Sequence, residues 1–483
     1  MNDTRALLNR MSEFRKRLEA MPRLIPVATA PAPAAPEGPP KAEPASRTQA
    51  ILEQSLSRLP NGGAAFDNPP ALINRARRLL IDAQGLVERL RALADEPLLA
   101  GPTGPADTVD PLAIHYRETA TLTEAAVRYA LTFPDAADEQ RRLCEGLEGI
   151  VDAARRRYAR LAAILEQRRT EVSRLDALAR FLTTLNEGDG PIDPGPVAEL
   201  AADLLADEPG KPLRFAVAEP TATRAFLGGS EYPAPAWFVA AHGLNCAKVM
   251  ARLVRNDPQW RHRAAEMMLA ALLHDVGMLR VDPAVLARAE PLNADQRSAV
   301  EAHTRVGSEL VAARLPTMAG LAEAAASHHE RLDGSGYPAG LKGEQVSPAI
   351  RLLAVVDAYA RLCAPRSHRP PLDPRTALTD TLLMAERGKL DRYAAETLLT
   401  LGFYPVGTVV ELDDGSTGVV LAPRHTPPLA ARPPVAVLVL AGGRPLPAPA
   451  YFDLAQRDGP AVVRSLGYPD RLRRLGRAYP EWV

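Results

Sequence analysis

Apolar residues return at alternating three- and four-residue steps through Leu147, Val151, Ala154, Tyr158, Leu161, Leu165, Val172, Leu175, Ala179 and Leu182, interrupted at Arg168 and separated by arginine and glutamate. This spacing predicts a long amphipathic helix with a heptad seam. Such a seam pairs with a second chain as a coiled coil, or packs within its own chain as one helix of a bundle. The pattern leaves both open, and a bundle that also supplies a homodimer contact is the favoured reading. The helical region covers residues 49–190, broken by "EPLLAGPTGPADTVDP" and "FPDAAD", and reads as a regulatory or dimerisation region. Ahead of it, residues 1–25 read as a short charged helix. Residues 26–48 read as a proline- and alanine-rich linker, because proline lacks the backbone donor that a helix or central strand needs. Residues 191–235 carry repeated proline and glycine breaks and read as an irregular connection. Helical periodicity resumes over 236–401. Over 402–483 alternating valine and leucine around "DDGS" predict a small β-rich unit. The fold class is therefore mainly α with a small β unit at the C-terminus.

A chain of 483 residues exceeds what one hydrophobic core usually organises. Lysine plus arginine equals aspartate plus glutamate at 58 each, so no overall field draws the protein to a nucleic acid polymer or a membrane. No apolar run reaches membrane-spanning length, and the charged first residues lack the core of a signal peptide. Together these predict a cytoplasmic protein. Cys144, Cys246 and Cys363 stand far apart in no metal-type pair and read as reduced, small buried hydrophobes. The basic run "RRRYAR" from Arg155 reads as a solvated helix face.

The chemistry is concentrated elsewhere. Five of the nine histidines fall in one helical region beside apolar runs: His242, His274, His303 and the pair His328–His329. Asp275 follows His274, and Asp357 interrupts "AIRLLAVVDAYARL", where a bare carboxylate in a core helix is costly unless paired or metal-bound. A single histidine on an apolar helix is more often a core side chain than a ligand. The conjunction of five imidazoles and two carboxylates points instead to heads converging on metal. Imidazole and carboxylate without thiolate suit iron, manganese, cobalt or nickel rather than a structural thiolate zinc site.

The strings "HDVGM" at His274, "HHERLDGSGYP" at His328 and "VVDAYARLCAPRSHRP" at Val355 resemble the HD-GYP domain, a bacterial subfamily of HD phosphohydrolases acting on cyclic di-GMP. The resemblance covers Ala236 to Leu401, roughly a third of the chain. It implies an HD-type helical bundle as the catalytic domain and two divalent ions, iron or manganese, with a shared hydroxide as nucleophile. His242, His274, Asp275 and Asp357 would serve one ion. Asp275, as the bridging and catalytic carboxylate, would also serve the other with His303, His328 and His329. Cyclic di-GMP would be the partner and substrate, opened to pGpG or GMP. Arg366 and Arg369 would hold its phosphates, Tyr337 would line the pocket, and Gly334 and Gly336 would permit the backbone angles of the turn.

The chain also departs from the family pattern. Met278 stands where a lysine is usual, Ala360 where a second aspartate is usual, and Leu332 where a tryptophan is usual. Phe238, four residues before His242, replaces a glutamate that helps some relatives hold a third ion, which implies two ions here. These losses keep a second function open: a degenerate module that senses a cyclic dinucleotide or binds another protein.

Overall fold

The computed structural model describes residues 70–96, 116–121, 123–124, 137–207, 211–215, 234–255, 257–286, 291–364, 371–422, 432–454, 460–476, 478–479 and 482. The short helix and linker expected over 1–48 lie outside these residues. Everything described belongs to one compact unit that begins at Thr48.

Two helices open the described chain, α1 (Pro70–Ala94) and the fifty-residue α2 (Ala137–Asn186). The heptad seam finds its partner within the same chain. Leu147, Val151, Ala154, Leu161 and Leu165 of α2 are buried with Leu79, Leu80, Ala83, Leu86, Val87 and Leu90 of α1. The seam is therefore buried within the chain over this stretch. The basic run pairs across the same two helices, with Arg155 on Asp82, and Arg169 further along reaches Glu96 at 2.9 Å.

Beyond Leu165 the seam continues into a second environment. Leu175, Leu178, Ala179, Leu182 and Leu185 are buried where α2 meets α3 (Gly195–Ala206) and α4 (Ala234–Val254). The twelve-residue α3 falls inside the segment read as irregular: Pro194 and Pro196 flank its first turn, and Val197, Leu200, Ala201 and Leu204 give it a buried face. Proline breaks mark a helix start as readily as a loop. A helix with apolar residues on most of its faces belongs in a core, and α4 is that helix, with Trp237, Val239, Leu244, Val249, Met250 and Val254 all buried.

On α4 pack α5 (Ala264–Leu273) and, further along, α9 (Pro348–Cys363); α6 (Ala294–Glu301) leads into α7 (His303–Arg314), α7 packs on α8 (Ala319–Ser327), α8 on α5 and α9, and α10 (Pro374–Glu386) and α11 (Arg392–Thr397) on α9. Caps fix several of the starts. Asn293 and Gln296 form a capping box on α6, and the Asp373 carboxylate accepts from the Arg375 and Thr376 amides of α10.

The end of α2 is tied to this bundle by two arginines. Buried Arg314, the last residue of α7, donates to the carbonyls of Thr184 at 2.9 Å and Glu187 at 2.8 Å. Arg280 donates to the Asn186 side-chain oxygen at 2.9 Å. These bonds satisfy carbonyls that a helix end leaves without partners.

The expected β unit is a five-stranded antiparallel sheet in the order β4-β3-β2-β1-β5, from β1 (Val409–Leu412), β2 (Thr417–Val420), β3 (Pro434–Val439), β4 (Pro445–Asp453) and β5 (Val462–Ser465). The "DDGS" turn joins β1 to β2 with Val409 opposite Val419. The last helix, α12 (Tyr468–Leu475), covers one face through Leu475.

Truncating a fully buried leucine at the α1–α2 contact tests where the seam is spent. Leu161→Ala should lower unfolding stability by about 2–5 kcal/mol, measured by denaturant titration, with no dependence on protein concentration. A loss that deepens on dilution would place the seam between chains.

Candidate metal centre

The structure brings His242, His274, Asp275, His303, His328, His329 and Asp357 to one place, each 5% exposed or less. Only His242 and Asp357 lie mid-helix, on α4 and α9. His274 and His328 are the last caps of α5 and α8, and His303 is the first residue of α7. Asp275 leads into the short 3-10 turn Val276–Arg280. Helix ends suit this work, because the chain turns away there and frees the terminal side chains to face a common centre. Their carbonyls also hold the rings: His274 Nδ1 donates to Ala271 O at 3.0 Å, and His328 Nδ1 to Ala324 O and Ala325 O at 3.1 Å. His303 Nδ1 donates to Val300 O. In each ring the proton sits on Nδ1 and the Nε2 lone pair faces inward.

Asp275 stands between two sets of ring nitrogens. Its Oδ1 lies 3.2 Å from both His303 Nε2 and His328 Nε2, and its Oδ2 lies 3.6 Å from His242 Nε2 and 3.8 Å from His274 Nε2. Asp357 completes the second set, with Oδ1 2.9 Å from His242 Nε2 and 3.9 Å from His274 Nε2. Its Oδ2 lies 3.7 Å from His329 Nδ1. His274 Nε2, Asp275 Oδ1 and Asp357 Oδ2 are buried without a hydrogen-bond partner. Acceptors facing acceptors in a dry core repel and go unsatisfied unless a cation lies between them. The donor set fits metal in two adjoining groups, His242–Cys246–His274–Asp357 and Asp275–His303–His328–His329, whose atoms lie within 4.8 Å of one another in each group.

Charge is tuned for binding. Burial drives His242 down to about 4 against the pull of Asp357 and Asp275, and burial likewise lowers His328 and His329. These imidazoles are neutral near pH 7 and offer lone pairs. Burial alone would raise Asp357, yet the Arg361 guanidinium beside it holds that carboxyl well below the usual range.

The glycine turn after His329 has a specific job. Glu330 is buried, and its two carboxylate oxygens accept from the amides of Ala339 at 2.7 Å and Leu341 at 2.8 Å, which folds the turn back over the histidine pair. A side chain at Gly336 would put Cβ 2.3 Å from Arg331 N and 2.5 Å from His329 O. Close approach, rather than an unusual angle, thus requires glycine there, whereas Gly334 does hold a positive φ of 81°. Tyr337 packs its ring 4.7 Å from that of His329 at the rim.

Sequence reasoning missed four contributors. Cys246, read as packing, lies one turn after His242 with its sulfur 3.7 Å from His242 Nε2. Glu330 staples the turn. Gly277 lets the turn after Asp275 touch α7, since a Cβ there would meet His303 O at 2.0 Å. Arg361, one turn after Asp357 on α9, donates from Nη2 to Asp357 Oδ1 at 2.8 Å. The i, i+4 spacing of Cys246 and Arg361 from ligand candidates was the available signal. Arg366 and Arg369 lie outside the described residues. Met278 and Ala360 are buried apolar positions, 8% and 0% exposed, so no side-chain charge is supplied at either.

Residues 202–393 match the family described as HD domain. Among curated relatives, a cyclic di-GMP phosphodiesterase of Pseudomonas aeruginosa is 32% identical over 186 residues, 37% of this chain and 43% of that protein. A 3'3'-cGAMP-specific phosphodiesterase of Vibrio cholerae is 37% identical over 113 residues, 23% of this chain and 24% of that protein. The chain thus spans less than half the length of these relatives. An HDG"Y"P protein of Bdellovibrio bacteriovorus aligns over 73% of this chain and 78% of its own at 12% identity and a TM-score of 0.29, a superposition too loose to transfer residue roles. With the HD pair, the stapled His-His-Glu turn and the Gly-Tyr-Pro string all in one buried centre, residues 202–393 match an HD domain and are similar to the HD-GYP kind.

Proposed function

We propose that this chain is a metal-dependent phosphodiesterase that opens a cyclic dinucleotide, cyclic di-GMP foremost, to linear pGpG or GMP. The observation that carries the reading is Asp275, one oxygen turned to His303 and His328 and the other to His242 and His274. A carboxylate so placed would serve an ion on either side of it. His242, His274 and Asp357, with Cys246 adjoining, would hold one divalent ion, and His303, His328 and His329 the other, iron or manganese by ligand type. Such a pair supplies an activated water and offsets charge developing on a phosphodiester.

The protein's own share is orientation and exclusion of water. The Nδ1 bonds of His274, His303 and His328 fix ring tautomers before any ion arrives. The Glu330 staple keeps the Gly-Tyr-Pro turn over the histidine pair, and Tyr337 closes the rim. The same reading assigns Arg366 and Arg369 to substrate phosphates and places the chain in the cytoplasm with its N-terminal helices as a regulatory module. The same N-terminal helices would supply a homodimer contact.

A second reading is favoured by Met278 and Ala360, both buried and uncharged: a weak or inactive module that binds a cyclic dinucleotide as a sensor or interaction partner. Purified protein loaded with manganese or ferrous iron should convert cyclic di-GMP to pGpG, followed by chromatography, with 3'3'-cGAMP run in parallel. Binding of either dinucleotide without product above a metal-stripped control would leave the sensor reading.

The bridge makes a separate prediction. Wild-type protein should carry about two ions per chain, and Asp275→Ala should retain less than one together with lost turnover, read by elemental analysis. Full metal content in that variant would break the bridging assignment.

A further inference from the structure

Within the phosphodiesterase reading, we propose that Arg361 is a cation that anchors substrate phosphate directly beside the ion groups, a role that falls to α9 because Met278 brings no charge to it from the turn after Asp275. Arg361 follows Asp357 by one helical turn, so both heads leave the same face of α9. Its Nε and Nη2 lie 3.3 Å and 2.8 Å from Asp357 Oδ1, and Nη2 also lies 3.5 Å from His329 Nε2. The guanidinium therefore reaches from a donor of one candidate ion group to a donor of the other. Its side chain is 37% exposed, whereas that of Asp357 is 1%. It spans the step from the buried floor to the open rim, where Tyr337 also packs on His329. An anion approaching both ion groups meets it.

The other nearby arginines are committed differently. Arg331 turns its Nη1 to the carbonyls of His328 and Glu330, at 3.2 Å and 2.8 Å, and so holds the backbone of the glycine turn. Arg305 lies 67% exposed, paired with Glu309 at 2.7 Å. Arg361 alone among these three contacts candidate ligand atoms. A guanidinium is always charged and carries five donors in a planar fork that suits phosphate oxygens.

The competing role is positional: Arg361 could do no more than orient Asp357. Inorganic phosphate is the probe that separates the two, because its binding needs no turnover. Calorimetric titration of phosphate into manganese-loaded protein should give an affinity at least about tenfold weaker for Arg361→Gln and Arg361→Ala, with metal content unchanged, and Arg361→Lys should recover part of the loss. Arg361-dependent phosphate binding in a chain that hydrolyses no dinucleotide would support this assignment while the phosphodiesterase reading failed. Unchanged phosphate affinity in Arg361→Gln would overturn it. So would loss of metal in Arg361→Lys and Arg361→Gln, which would make Arg361 a positioning residue for Asp357.

Discussion

Lone pairs that face each other in a dry core are the constraint on which this structure depends. Asp275 and the Nε2 atoms of His274, His303 and His328 have every reason to repel, since the ring protons are already given to backbone carbonyls on the far side. Burying such a set costs several kcal/mol unless a cation repays it. The rest of the fold reads as the apparatus that holds this unfavourable arrangement together. A buried α4 carries His242, and the ends of α5, α7 and α8 each present a ring at the same point.

Precision at helix ends needs close backbone contact, and the chain obtains it by omitting side chains. Gly277 lies against the first residue of α7, where a Cβ would collide with the carbonyl of His303 itself. Gly336 brings the turn onto the backbone of His329 and Arg331 in the same way. Glu330 then fixes the turn with two carboxylate hydrogen bonds to backbone amides, stronger than neutral ones. The histidine pair, the Glu330 staple and the glycine cover are made by one short stretch of chain.

Much of the centre was legible because its residue types are costly in their surroundings. Asp357 inside an apolar helix and adjacent histidines before a turn have few cheap explanations, and all seven suspected ligands meet. Arg361 and Cys246 escaped notice for the opposite reason: an arginine or cysteine in a helix is ordinary, and only proximity to Asp357 and His242 gives them meaning. The heptad seam was ambiguous for a geometric reason, since Leu161 has the same spacing whether its partner is α1 or another chain. The short α3 hid behind the prolines that start it. The β unit was plain from alternation and its "DDGS" turn, although α12 on its face was not foreseen.

The central claim is that Asp275 joins two ion positions into one centre. Electron paramagnetic resonance of the protein loaded with manganese(II) tests it directly, because two ions sharing a carboxylate are magnetically coupled. The account predicts the broadened multiline spectrum of an interacting pair that collapses in Asp275→Asn. A simple six-line spectrum from isolated ions in the wild-type protein, at full manganese occupancy, would contradict it.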